Sequence, residues 1–95
     1  MTSYCKKLHI DVETYSEVDL TSCGAYRYVD DASFEILLLA YAYGDDPIKV
    51  IDLAAGEQLS PKLINDIKSP DHIKIAHNAV FERLCLSKHL NTYLN

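Results

Sequence analysis

The chain has no tryptophan and only three glycines, three prolines and three cysteines among its 95 residues. So little glycine and proline, with 48% hydrophobic and 24% charged residues, argues against disorder or low complexity and for one small globular domain. Cys5, Cys23 and Cys85 are odd in number, widely spaced and without a CxxC pair. That argues against a disulfide framework or a cysteine zinc site, and each reads as a small hydrophobe of a reduced, cytoplasmic protein. Basic charge is scarce: nine Lys and Arg against 14 Asp and Glu, a formal net charge of −5. Tight non-specific nucleic-acid binding is therefore not expected from this chain alone, because such affinity comes from cations neutralising phosphates. A metal-dependent nuclease stays open, since its carboxylates themselves add negative charge. Long apolar runs are also missing. The longest, ILLLAYAY at 36–43, is far shorter than the roughly 20 residues of a membrane helix. The opening MTSYCKK has no apolar segment behind its lysines, so neither a membrane span nor a secretory signal is expected.

What is present begins with LHIDVET. Leu8, Ile10 and Val12 alternate with His9, Asp11 and Glu13, a period of two that predicts a first strand over about 7–14. The polar stretch that follows predicts a loop with a short helical turn around 25–29. FEILLLAYAYGDDPIKVIDL reads as a β-hairpin, 34–43 up and 48–53 back across GDDP. Its first strand is almost continuously apolar, as expected of a strand covered on both faces. Ser60-Pro61 is a helix start, with Ser as the cap and Pro at the first helical position. Leu63, Ile64 and Ile67 form that helix's buried stripe. IKIAH (73–77) predicts a further strand, parallel to an earlier one, and Asn78 caps a helix from Ala79 to about Leu90. The order strand, strand, strand, helix, strand, helix implies an α/β domain built on a mixed sheet.

Two acidic clusters carry candidate chemistry. Asp11 and Glu13 leave one face of the first strand about 7 Å apart, and hard cations such as Mg²⁺ or Mn²⁺ take oxygen ligands of this kind. The alternative is a half-exposed strand whose polar face meets water. Glu82 lies one turn into the last helix with Ala79, Cys85 and Leu86 as its helical neighbours. A carboxylate in such company belongs at the edge of the core and calls for a partner or a metal. The alternative is a Glu that stabilises the helix N-terminus, with Asn78 as an ordinary cap.

HIDVET followed by AHNAVFER resembles the first two motifs of the DEDD 3′–5′ exonuclease superfamily, on the ribonuclease H-like fold. DVETYSEVDL, GAYRYVDD and FEILLLAYAYGDDPIKVIDL extend the resemblance over about 8–90, to the N-terminal exonuclease region of phage-type family A DNA polymerases. The resemblance implies a two-ion Mg²⁺ or Mn²⁺ site that hydrolyses the 3′ end of single-stranded DNA. By resemblance Asp11 bridges both ions, Glu13 ligates the one that activates water, and Glu82 holds the other. Thr14 and Asn78 match positions that place the substrate strand, and Phe81 reads as a core anchor. Many members of the superfamily carry Asp where this chain has Glu82, a change of reach and not of charge. The third motif and its fourth acid have no counterpart here: Tyr93 is the last tyrosine, His89 comes too early, and Asn91 and Asn95 carry no charge.

The expectation from the sequence is therefore residues 1–95 as a partial exonuclease domain. This is a truncated ribonuclease H-like fold without its fifth strand, in the cytoplasm of a bacterial host cell. Its partners would be a DNA 3′ end, the missing remainder of the polymerase and, through an uncovered sheet edge, a second copy of itself. The competing expectation is a non-catalytic remnant that acts only in assembly or in association with replication proteins.

Overall fold

The computed structural model describes residues 6–76 and 78–92, with the backbone alone for Lys6 and Cys23. Readings made on Cys5, His77, Tyr93 and Asn95 lie outside the described residues. The elements run β1 (Lys6–Tyr15), α1 (Leu20–Asp30), β2 (Glu35–Tyr43), β3 (Lys49–Asp52), a 3₁₀ turn (Leu53–Ala55), α2 (Pro61–Lys68), β4 (His72–Ile75) and α3 (Ala79–Leu90). The four strands form one mixed sheet in the order β3-β2-β1-β4. β1 is antiparallel to β2 and β2 to β3, whereas β4 is parallel to β1, with Leu8 opposite Lys74 and His9 opposite Ile75. The parallel pairing needs a chain crossover, and α2 supplies it. The fold is an α/β domain, as the order of elements in the sequence implies.

Two helices start where their caps predict. Ser60 Oγ accepts the Leu63 N–H at 3.1 Å with Pro61 at the first position, and Asn78 Oδ1 accepts the Phe81 N–H at 3.3 Å. Asn91, in the left-handed region at φ 54°, closes α3 by donating its N–H to the Lys88 carbonyl. One element departs from the sequence reading. The short turn expected around 25–29 is present, but as the second piece of an eleven-residue helix capped at Asp19, whose carboxylate accepts the Thr21 N–H at 3.1 Å. Gly24 (φ 82°, ψ 167°) breaks this helix into two short pieces. Neither piece is long enough to show a 3.6-residue period, and for that reason the sequence pattern hides it.

The core lies between one face of the sheet and the three α-helices. Leu8 and Ile10 of β1 and Ile36 and Leu39 of β2 pack with Val29 of α1, Leu63 and Ile67 of α2, and Cys85 and Leu86 of α3. The strict alternation of β1 drives this: its apolar set turns inward and His9, Asp11 and Glu13 turn out. β2 corrects the sequence reading in part. On its helix side Ile36 and Leu39 are buried; on the other side Ala42 is buried but Leu38 and Ala40 are only half-buried, since every helix that contributes to the core cluster lies on the opposite face. Ile73 and Ile75 of β4 and Val50 of β3 are exposed. They are accessible because β3 and β4 are the edges of the sheet.

Candidate functional site

Asp11 and Glu13 are exposed on the open face of the sheet. Asp11 stands opposite Ala40 and Glu13 opposite Leu38, small or apolar residues that form no ion pair with either acid. A shallow hollow beside them is lined by His9, Asp11, Ala40, Ala42, Ile48 and Ile75. Between Glu13 and Thr14 the β1–β2 register shifts by a bulge, so that Thr14 pairs with Ile36. Bulges bend a strand and re-aim the side chains next to them. Here the Thr14 hydroxyl comes within 3.0 Å of the Tyr28 hydroxyl on α1.

Glu82 reaches the sheet from the other side. It is 6% exposed on the first turn of α3, one turn before the buried Cys85 and Leu86. It shares a small cavity with Ile10, Ile67, Lys74, Ala76 and Arg83. Ile10 and Ala76 line both this cavity and the hollow beside Asp11; the structure brings Asp11 and Glu13 together on one strand face, and Glu82 does not join them in a group among the described residues. Among the described residues no three His, Cys, Asp or Glu side chains group closely enough to hold a metal ion. The chemistry of Asp11 and Glu13, two carboxylates on one rigid strand, fits an oxygen-ligated divalent cation that completes its shell with water or phosphate oxygens. Glu82 does not extend that set in this arrangement.

Around Glu82 the electrostatics follow burial. The Cys85 thiol is pushed up to about 12, first by burial and then by the negative charge of Glu82. It is a packing group, as read from the sequence, and not a nucleophile. Lys74, on the helix side of β4, has its ammonium pulled below the usual lysine range by burial and donates to the Ser69 carbonyl. Asn78, exposed, serves as the cap of α3. Phe81 is half-buried against the Tyr28 ring at 6.0 Å between centroids, the anchor that its sequence position implied.

Sequence reasoning missed a second polar centre. The Tyr43 hydroxyl donates to Asp66 Oδ2 at 2.5 Å, Lys62 Nζ donates to the same oxygen at 2.9 Å, and His72 Nε2 lies 3.9 Å from Oδ1. The Lys62 ammonium also sits 4.3 Å above the Tyr43 ring. The bonds from Tyr43 and Lys62 hold the Asp66 carboxyl below the usual range, while burial and the same bond to Asp66 raise Tyr43. Lys62 and Asp66 were legible as an i,i+4 pair. Tyr43 and His72 come to them only through the fold.

A mixed four-stranded sheet with its helices on one face and a pair of carboxylates on the other defines an α/β domain with an acidic strand site. Against known proteins, the chain is 51% identical over 89 residues to a protein named "DNA polymerase" from Bacillus phage SP02. The alignment covers 94% of this chain and 14% of that polymerase. No family model matches the chain, and no solved structure matches it. The chain is a relative of one segment of a phage DNA polymerase.

Proposed function

We propose that the chain is the 3′–5′ exonuclease portion of a phage or prophage DNA polymerase, on a ribonuclease H-like fold, hydrolysing phosphodiesters at the 3′ end of a single DNA strand. The observation that carries this reading is the placement of Asp11 and Glu13 side by side on the open face of β1, in a chain 51% identical to a segment of a phage DNA polymerase. Asp11 and Glu13 would hold Mg²⁺ or Mn²⁺; the DEDD motifs assign Glu82 a second ion, but Glu82 does not group with the other two acids among the described residues, so this reading places no ion on it. Bound at Asp11 and Glu13, the ion would supply charge neutralisation at phosphorus and activation of water. The chain's own residues contribute the rest. β1 pairs with β2 at both Asp11 and Glu13, which fixes the spacing of the two carboxylates. The bulge and the Thr14–Tyr28 hydrogen bond set the end of the strand, and the open face admits an extended strand. The remaining partners in this reading are the rest of a polymerase chain, which supplies a fourth acid, and a second copy docking through the β4 edge.

One observation favours a second reading, a non-catalytic module: Asp11, Glu13 and Glu82 do not cluster among the described residues. The deciding experiment is digestion of a 3′-labelled single strand with Mn²⁺ by the chain and by Asp11→Ala. Shortening of the strand from its 3′ end that Asp11→Ala abolishes supports the nuclease. Calorimetry that finds no Mn²⁺ site sensitive to Asp11→Ala, together with no digestion, assigns the module.

A further inference from the structure

α1 is fastened to both acidic motifs. Tyr28 bonds to Thr14, the residue after Glu13, and its ring packs against Phe81, the residue before Glu82. On the far side of the same helix a groove opens between α1 and α3. Its walls carry Tyr26 and Arg27 from α1, and Lys88, Asn91 and Thr92 from the end of α3. Tyr26 is 70% exposed. A large ring held out in water, with an exposed arginine beside it and a lysine across the groove, combines a stacking platform with phosphate-binding cations. The patch brings an exposed aromatic ring and two cations together in a chain whose net charge is −5. Asp30 is the counter-charge in the groove, and the next residue, Asp31, also feels the Lys88 charge. Lys88 Nζ lies 3.2 Å from the Asp30 carbonyl oxygen and 3.9 Å from its carboxylate. Such a loose and largely exposed pair yields readily to a competing phosphate.

We propose that the α1–α3 groove binds single-stranded DNA, with Tyr26 stacked on a base and Arg27 and Lys88 at the phosphates. This rests on the nuclease reading and extends it. The groove holds a run of nucleotides on the helix that is fastened to both acidic motifs. The contacts use no metal, so binding and cleavage separate.

The test is fluorescence anisotropy of the 95-residue chain with a labelled oligothymidylate of about 12 nucleotides, in EDTA and low salt. Tyr26→Ala is expected to weaken binding about fivefold to a hundredfold, the range for losing one stacked base, and Tyr26→Phe to retain it. Arg27→Ala and Lys88→Ala should each lower the slope of log affinity against log salt by about 0.7. Circular dichroism melts check that the variants are folded, which the exposure of Tyr26 favours. Unchanged binding in folded Tyr26→Ala and Arg27→Ala overturns the proposal, as does absence of binding by the parent chain. A preference for an RNA of the same length overturns the assignment to DNA. Binding in EDTA without digestion in Mn²⁺ would remove the nuclease reading and leave the groove standing. Digestion with no effect of Tyr26→Ala on binding would do the reverse.

Discussion

Replacing Asp66 by Ala tests whether the Tyr43–Asp66–Lys62 centre holds α2 against the sheet. Asp66 is the only charged residue of α2 among its buried ones, and it ties that helix to Tyr43 at the end of β2. A hydrogen bond to a charged acceptor contributes about 1.5–3 kcal/mol, and removing the acceptor leaves the Tyr43 hydroxyl partly desolvated without its partner. Lys62 is 75% exposed, so its ammonium regains water and Lys62→Ala should be nearly neutral. Asp66→Ala is therefore expected to cost about 1.5–3 kcal/mol, and Tyr43→Phe, which keeps the ring contacts, about 1 kcal/mol. In urea unfolding the double variant should cost less than the sum of the two, with a coupling of about 1 kcal/mol. The pH dependence has a definite sign. The folded carboxyl is held below its ordinary value of 3.8, so its stabilisation is fully present above pH 4 or so and is lost as pH falls through the lower, folded value. The gap between parent and Asp66→Ala should thus narrow as the pH falls below about 4. Strict additivity, or a gap that widens in acid, would refute the reasoning.

Two further outcomes follow from burial and exposure. With its thiol at about 12 and no solvent access, Cys85 should resist alkylation at about pH 8 in the folded chain and react only as fast as the chain unfolds. Site-resolved mass spectrometry reads this, and prompt labelling of Cys85 would contradict its packing. Ile75→Lys places a charge on the exposed edge strand beside the open face and should abolish self-association in sedimentation velocity at tens of micromolar while shifting the unfolding midpoint little. A parent chain that sediments as a monomer at that concentration would remove the edge-pairing expectation.

Much of the fold was legible because its signals are local. Ser60-Pro61 and Asn78 mark the starts of α2 and α3 through bonds made within four residues. GDDP separates two strands that pair with each other, and the apolar alternation of β1 names its inward face. Of α1 only the piece after Gly24 was legible, as the turn around 25–29; the first piece was not, because Gly24 interrupts the helix and its cap at Asp19 looks like any other acid in a polar loop. The same contrast runs through the site. That Asp11 and Glu13 share a face follows from the two-residue period of a strand and from nothing else, so the sequence alone determines it. On which side of β1 Glu82 falls depends on where α3 docks, and that is decided by Cys85 and Leu86 burying themselves against Ile10 and its neighbours. The bond between Tyr43 and Asp66, 23 residues apart, and the bridge that Tyr28 makes from Thr14 to Phe81 likewise exist only once the helices lie on the sheet. Periodicity is carried by the backbone and can be read along the chain. Proximity across elements is set by side chains competing for one small core, and only the tertiary structure decides it.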